Sequence, residues 1–77
     1  MSPEEWNAEM DRVWLNPEAV YWMKLELATG VQVTVLVKER RLYNASNGPT
    51  IQIQPTEQWG AGVLLVDVTR IVDSLQQ

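Results

Sequence analysis

The stretch Tyr21-Trp22-Met23-Lys24-Leu25-Glu26-Leu27-Ala28-Thr29-Gly30-Val31-Gln32-Val33-Thr34-Val35-Leu36-Val37-Lys38 decides the fold. Tyr21, Met23, Leu25 and Leu27 alternate with Trp22, Lys24, Glu26 and Ala28. Val31, Val33, Val35 and Val37 alternate with Gln32, Thr34, Leu36 and Lys38. A period of two places each apolar set on one face of a strand. Thr29-Gly30 between the runs is a turn signal, because glycine takes positive φ without steric cost. The spacing predicts a long antiparallel hairpin.

Before the hairpin the period changes. Ser2-Pro3-Glu4-Glu5 reads as a helix start: Ser2 caps, Pro3 suits the first helical position and Glu5 completes a capping box. Trp6, Met10, Val13 and Trp14 then form one apolar stripe at helical spacing. Asn16-Pro17 ends it, so a helix is expected over 3–15. After the hairpin, Asn44 to Pro49 reads as a loop rich in breakers, Thr50 to Gln54 as a short strand, and Pro55 to Gly62 as a second loop carrying Trp59. Val63-Leu64-Leu65-Val66 reads as a strand apolar on both faces. The last segment is ambiguous. Val68, Ile71, Val72 and Leu75 fit helical spacing, but the β-branched residues prefer a strand. The preferred reading is a turn at Asp67 to Arg70 followed by a strand at Ile71 to Leu75.

The chain has 77 residues, which fits one domain of the usual size, about 50–200 residues. Its 45% hydrophobic and 21% charged content is that of a globular chain. The expected fold class is mainly β with an α+β composition. An N-terminal helix packs on a five-stranded, strongly bent antiparallel barrel over 21–75. A core of this size rarely supplies more than about 3–5 kcal/mol; the four Trp residues could supply further burial, and so could self-association. The Val63–Val66 strand is the candidate surface for a homo-oligomer.

Composition excludes much chemistry. The chain holds no His and no Cys, which removes imidazole bases, thiol nucleophiles, disulfides and His- or Cys-based metal sites. Ser2, Ser46 and Ser74 sit in no nucleophile motif, Gly60-Ala61-Gly62 is too short for a phosphate loop, and the ten acids read as solvated surface. No enzyme activity, cofactor or metal is expected. No apolar run is long enough to span a bilayer, and no signal peptide is evident, so a cytoplasmic location is expected. Asn44-Ala45-Ser46 fits a glycosylation sequon but reads as a plain polar loop in that compartment.

The net charge is −4, with the surplus of acids in residues 1–20: Glu4, Glu5, Glu9, Asp11 and Glu18 against Arg12. Only Lys38, Arg40 and Arg41 cluster as cations, with Glu39 among them. Nucleic acid as the main partner is therefore disfavoured, since displacing counterions takes several clustered cations. Candidate contact residues remain. Lys38-Glu39-Arg40-Arg41-Leu42-Tyr43 combines cations with an aromatic; Arg binds carboxylates bidentately. Trp59 lies in a polar, glycine-flanked stretch, as either a loop anchor or a binding residue. Trp6 and Trp14 read as core under the helix, and Trp22 as closing the barrel or lying exposed. The expected partner-binding set is Arg40, Arg41, Tyr43 and Trp59.

Helix, then five strands, is the layout of Sm-like and SH3-like domains. The residues Met23 to Val33 resemble their first hairpin, and Val66-Asp67-Val68-Thr69-Arg70-Ile71-Val72-Asp73-Ser74-Leu75 resembles their closing turn and last strand. Among Sm-like proteins the chain most resembles the small bacterial inhibitors of the Rho transcription terminator, which are also acidic and carry an N-terminal helix. The resemblance implies a small barrel and a regulator acting through protein–protein contacts. Asn44-Ala45-Ser46-Asn47-Gly48 does not reproduce the RNA-binding loop of the Sm and Hfq proteins. An oligonucleotide-binding barrel and a small structural or phage-type assembly subunit are the alternative readings.

Overall fold

The computed structural model describes residues 1–57 and 60–77, with side chains described for 1–54 and 62–77. Helix α1 spans Pro3–Val13. Its start follows the capping logic: the Glu5 N–H donates to Ser2 Oγ at 3.1 Å, and the Ser2 N–H donates to Glu5 Oε1 at 3.2 Å. These bonds to Ser2 hold the Glu5 carboxyl below the usual carboxylate range. The helix ends two residues short of the expected Leu15. Trp14 is its C-cap, and its N–H still donates to the Met10 carbonyl at 2.8 Å. There the chain leaves the helix, and the Trp14 ring tilts onto the Tyr21 ring, centroids 4.7 Å apart. The Asn16 N–H donates to the Tyr21 hydroxyl at 2.9 Å, a tertiary bond in place of a helical one.

Five strands follow: β1 (Tyr21–Leu27), β2 (Gln32–Ala45), β3 (Gly48–Glu57), β4 (Gly60–Leu64) and β5 (Val68–Gln76). All pairings are antiparallel, and the strand order is β4-β3-β2-β1-β5. The first hairpin forms as its period predicts, with Tyr21 opposite Val37 and Leu25 opposite Val33. Gly30, at φ 87°, makes its turn. A 3-10 turn, Leu65–Asp67, carries the chain from β4 across to β5 beside β1. The sheet is open, with β4 and β5 as its edges.

Several expected boundaries are corrected. The loop expected over 44–49 is the end of β2, a two-residue turn at Ser46-Asn47, and the start of β3. Gly48, at φ 124°, takes the backbone conformation that lets this turn be so short. The loop expected over 55–62 contributes residues 55–57 to β3 and 60–62 to β4. The Val63–Val66 run is not one strand: β4 stops at Leu64, and Leu65 and Val66 lie in the 3-10 turn. The turn expected at Asp67 to Arg70 is also shorter, because β5 starts at Val68.

Bulges explain where the sheet departs from a strict period of two. Between Val37 and Leu42, β2 advances five residues while β3 advances two, from Ile53 to Ile51; three residues of β2 are extra. Between Val68 and Asp73, β5 advances five while β1 advances three, from Leu27 to Lys24. Such insertions bend and twist the strand that carries them. In β5 they convert the inward period from two to three: Val68, Ile71 and Ser74 fall opposite the inward Leu27, Leu25 and Met23. A strand with that spacing mimics a helix in sequence.

The core lies between the concave face of the sheet and α1. It is built from Trp6, Met10 and Trp14 of the N-terminal segment, Tyr21, Met23 and Leu25 of β1, and inward residues of every other strand. The expectation that Trp6 and Trp14 are core residues holds; they are 0% and 6% exposed. The N-terminal amine donates to the Val68 carbonyl at 2.7 Å and ties the chain start to the β5 edge.

Candidate functional site

The basic segment Lys38–Tyr43 lies inside β2, in its bulged region. The bulges decide which way each side chain faces. Leu42 stands opposite the buried Ile51 and packs on the core. Its neighbours Arg41 and Tyr43 therefore share the opposite, outer face. The Arg41 guanidinium lies over the Tyr43 ring, 5.5 Å from its centroid, which is cation–π distance. The Tyr43 hydroxyl donates to Glu39 Oε2 at 2.5 Å. Glu39 Oε2 also stands 3.8 Å from the Arg41 guanidinium. Tyr43 first, and Glu39 after it, raise the Arg41 guanidinium further above its ordinary range. The three side chains make one ordered surface unit. Arg41 is the most exposed member, with 77% of its side chain accessible.

Arg40 goes elsewhere. It pairs with Asp11 of α1 and tethers the helix to β2. A shallow groove of about 360 Å³ opens beside it, lined by Trp14, Pro17, Lys38, Glu39, Arg40 and Arg41. Of the four expected contact residues, the structure brings Arg41 and Tyr43 together and directs Arg40 to the helix. Trp59 lies outside the described residues.

Sequence reasoning passed over Glu39 as an interruption of the basic run. Here it positions Tyr43 and half-neutralises Arg41. The signal was its i,i+4 distance from Tyr43, which in a regular strand places two residues on one face. A second feature also went unread: Trp22, Leu36 and Leu75 form one row across β2, β1 and β5 on the outer face, since Trp22 stands opposite both others.

The chain matches no family model, no curated protein and no solved structure. The site's chemistry therefore rests on its own geometry. Among the described residues, no three of His, Cys, Asp and Glu converge as metal ligands would. Among the described residues, no helix is long and apolar enough to cross a membrane. Glu9 and Glu26 are engaged in surface pairs. Glu9 accepts from Arg12 at 2.5 Å, which raises the Arg12 guanidinium. Glu26 accepts from Arg70 at 3.2 and 3.4 Å and from Gln32 at 3.2 Å. Arg70 first, then Gln32, hold the Glu26 carboxyl below the usual range. The Arg41 fork lies over an aromatic ring and presents N–H groups that a carboxylate or phosphate could accept from.

Proposed function

We propose that this chain is a small, non-enzymatic binding module of the cytoplasm, a regulator or inhibitor acting through protein–protein contacts. Its contact surface is the outer face of β2 at Arg41 and Tyr43, with Lys38 and Glu39 at its margin and the Trp59 segment as a second contact. The observation that carries the reading is the Arg41–Tyr43–Glu39 unit. An exposed arginine held over a ring loses little side-chain entropy on binding, and Arg and Tyr are the residue types that dominate interface hot spots. The scaffold reading is an SH3-like or Sm-like small barrel. The order helix, four strands, 3-10 turn, last strand supports it, as do the sheet order and the bulges that bend β2 and β5.

Arg41→Glu and Tyr43→Ala test the site. Both residues lie away from the core cluster, so the melting temperature should move by only a few degrees, the usual result for a surface change under about 0.5 kcal/mol. Proteins captured from the native host by the wild-type chain should bind these variants at least about tenfold more weakly. Equal capture by both variants refutes the site.

The second reading is an oligonucleotide surface, favoured by the stacked Arg41 and Tyr43, because aromatics beside cations hold single-stranded bases. Salt distinguishes the two. Several phosphate contacts lose on the order of 10³-fold in affinity between about 50 and 200 mM salt. Arg40 is already paired with Asp11, which leaves Lys38 and Arg41 as the cations of this surface and favours the protein reading.

A further inference from the structure

The outer face of β1 and β5 is separate from the β2 site and carries an ordered pattern of its own. Register fixes three rows across these strands: Trp22 beside Leu75, Lys24 beside Asp73, and Glu26 beside Arg70. Leu36 of β2 extends the first row on the other side of Trp22. Leu36 is only 4% exposed although it lies outside the core cluster, whereas Leu75 is 68% exposed. The row is thus an apolar strip with an open end. Glu26 and Arg70 are already paired. Lys24 and Asp73 make no ion pair among the described residues, although they are neighbours; a groove of about 160 Å³ opens at Trp22, Lys24, Thr34, Asp73, Ser74 and Leu75.

We propose that this face binds a second copy of the chain, as a symmetric dimer packed sheet against sheet. The occupant follows from the arrangement of charge. A two-fold axis parallel to the strands, midway between β1 and β5, lays β1 of one copy over β5 of the other. Every row is then self-complementary: Trp22 meets Leu75 of the second copy, and Lys24 meets Asp73 of the second copy. Each contact occurs twice, as an isologous interface requires. The Glu26–Arg70 row is neutral within each copy and opposes nothing. Two aligned sheets pack in this way about 10 Å apart. Three rows on the two overlaid strands span roughly 200 Å² per copy by strand spacing and rise, against about 800 Å² per partner in a standard complex. The dimer is therefore weak, dissociating between about 10 μM and 1 mM.

Sedimentation equilibrium over that concentration range tests the proposal. The wild-type chain should show a reversible monomer–dimer equilibrium. Lys24→Asp and Asp73→Lys, made singly, place like charges together across the interface and should each weaken dimerisation at least about tenfold. The double variant Lys24→Asp/Asp73→Lys should restore it. Leu75→Glu should give a monomer with an unchanged melting temperature, which keeps the test valid should a charge reversal disturb the β1–β5 pairing. A wild-type chain that stays monomeric at 1 mM overturns the proposal. So does a dimer indifferent to both single reversals, or one broken by Val66→Glu, which would place the contact at the 3-10 turn between β4 and β5.

Discussion

Trp6 is fully buried, and its indole N–H finds no acceptor among the described residues. A buried donor left unpaired costs about 1–3 kcal/mol, which offsets part of what the ring contributes by burial. Replacing it with phenylalanine removes the donor and keeps an aromatic ring. Trp6→Phe should therefore cost less than about 1.5 kcal/mol, whereas Trp6→Ala should cost about 3–5 kcal/mol. Trp14 differs. Its indole N–H is not a fully buried, unpaired donor, and its ring meets Tyr21, so Trp14→Ala should cost about 3–5 kcal/mol with no compensating gain. At the stability usual for a small domain, about 5 kcal/mol, either alanine variant leaves little folded protein. Urea midpoints of the three variants check this ordering. A Trp6→Phe variant as unstable as Trp6→Ala would show that the indole's full volume matters and its orphan donor does not.

Strand β1 is held to both neighbours by Glu26, which accepts from Arg70 on β5 and from Gln32 on β2. Both donors favour the carboxylate, so the folded-state pKa is lowered. A group lowered on folding contributes stability that is complete above its unfolded pKa, about 4.3 for glutamate. That stability is lost as pH falls through the lower folded value. The urea midpoint should therefore drop on acidification below about pH 4, and Glu26→Gln should make that drop shallower. Glu5, lowered by its bonds to Ser2, accounts for part of what remains. An acid limb of the same slope in Glu26→Gln would assign the loss to other carboxylates. Strand β2 shows how much of the candidate site was legible. The residue types of Lys38–Tyr43 stood out as a cationic and aromatic run, but their faces did not. Three extra residues between Val37 and Leu42 set Arg40 toward Asp11 and Arg41 beside Tyr43.

Across the whole molecule, β1 is flanked by β2 and β5, and β2 by β1 and β3, whereas β4 pairs only with β3. Opening β4 breaks one ladder; opening β1 breaks two and exposes the centre of the core. Hydrogen exchange should reflect this. Amides of Met23, Leu25 and Val35 should exchange only through global unfolding, and those of Val63 and Leu64 should exchange earlier through local opening. Equal protection of β4 and β1 would mean that the β4 edge is covered in solution. The open edges also separate the two surfaces argued above: the Arg41–Tyr43 unit on bulged β2, and the Trp22–Leu75 row on β1 and β5.

The helix start at Ser2 and the β1–β2 hairpin were determined by sequence alone, because both depend on neighbours a few residues apart. A capping box closes within four residues, and a period of two needs no knowledge of the partner strand. Tertiary structure decided the rest. Val68, Ile71 and Leu75 looked alike at helical spacing, yet two bulges against β1 turn Val68 and Ile71 into the core and leave Leu75 on the outer face. The breaker-rich residues 44–49 became a hairpin once β2 and β3 paired around Ser46-Asn47. A bulge arises where two strands of unequal length must stay paired while the sheet bends over the helix. That constraint belongs to residues far apart in the chain, so no local pattern carries it.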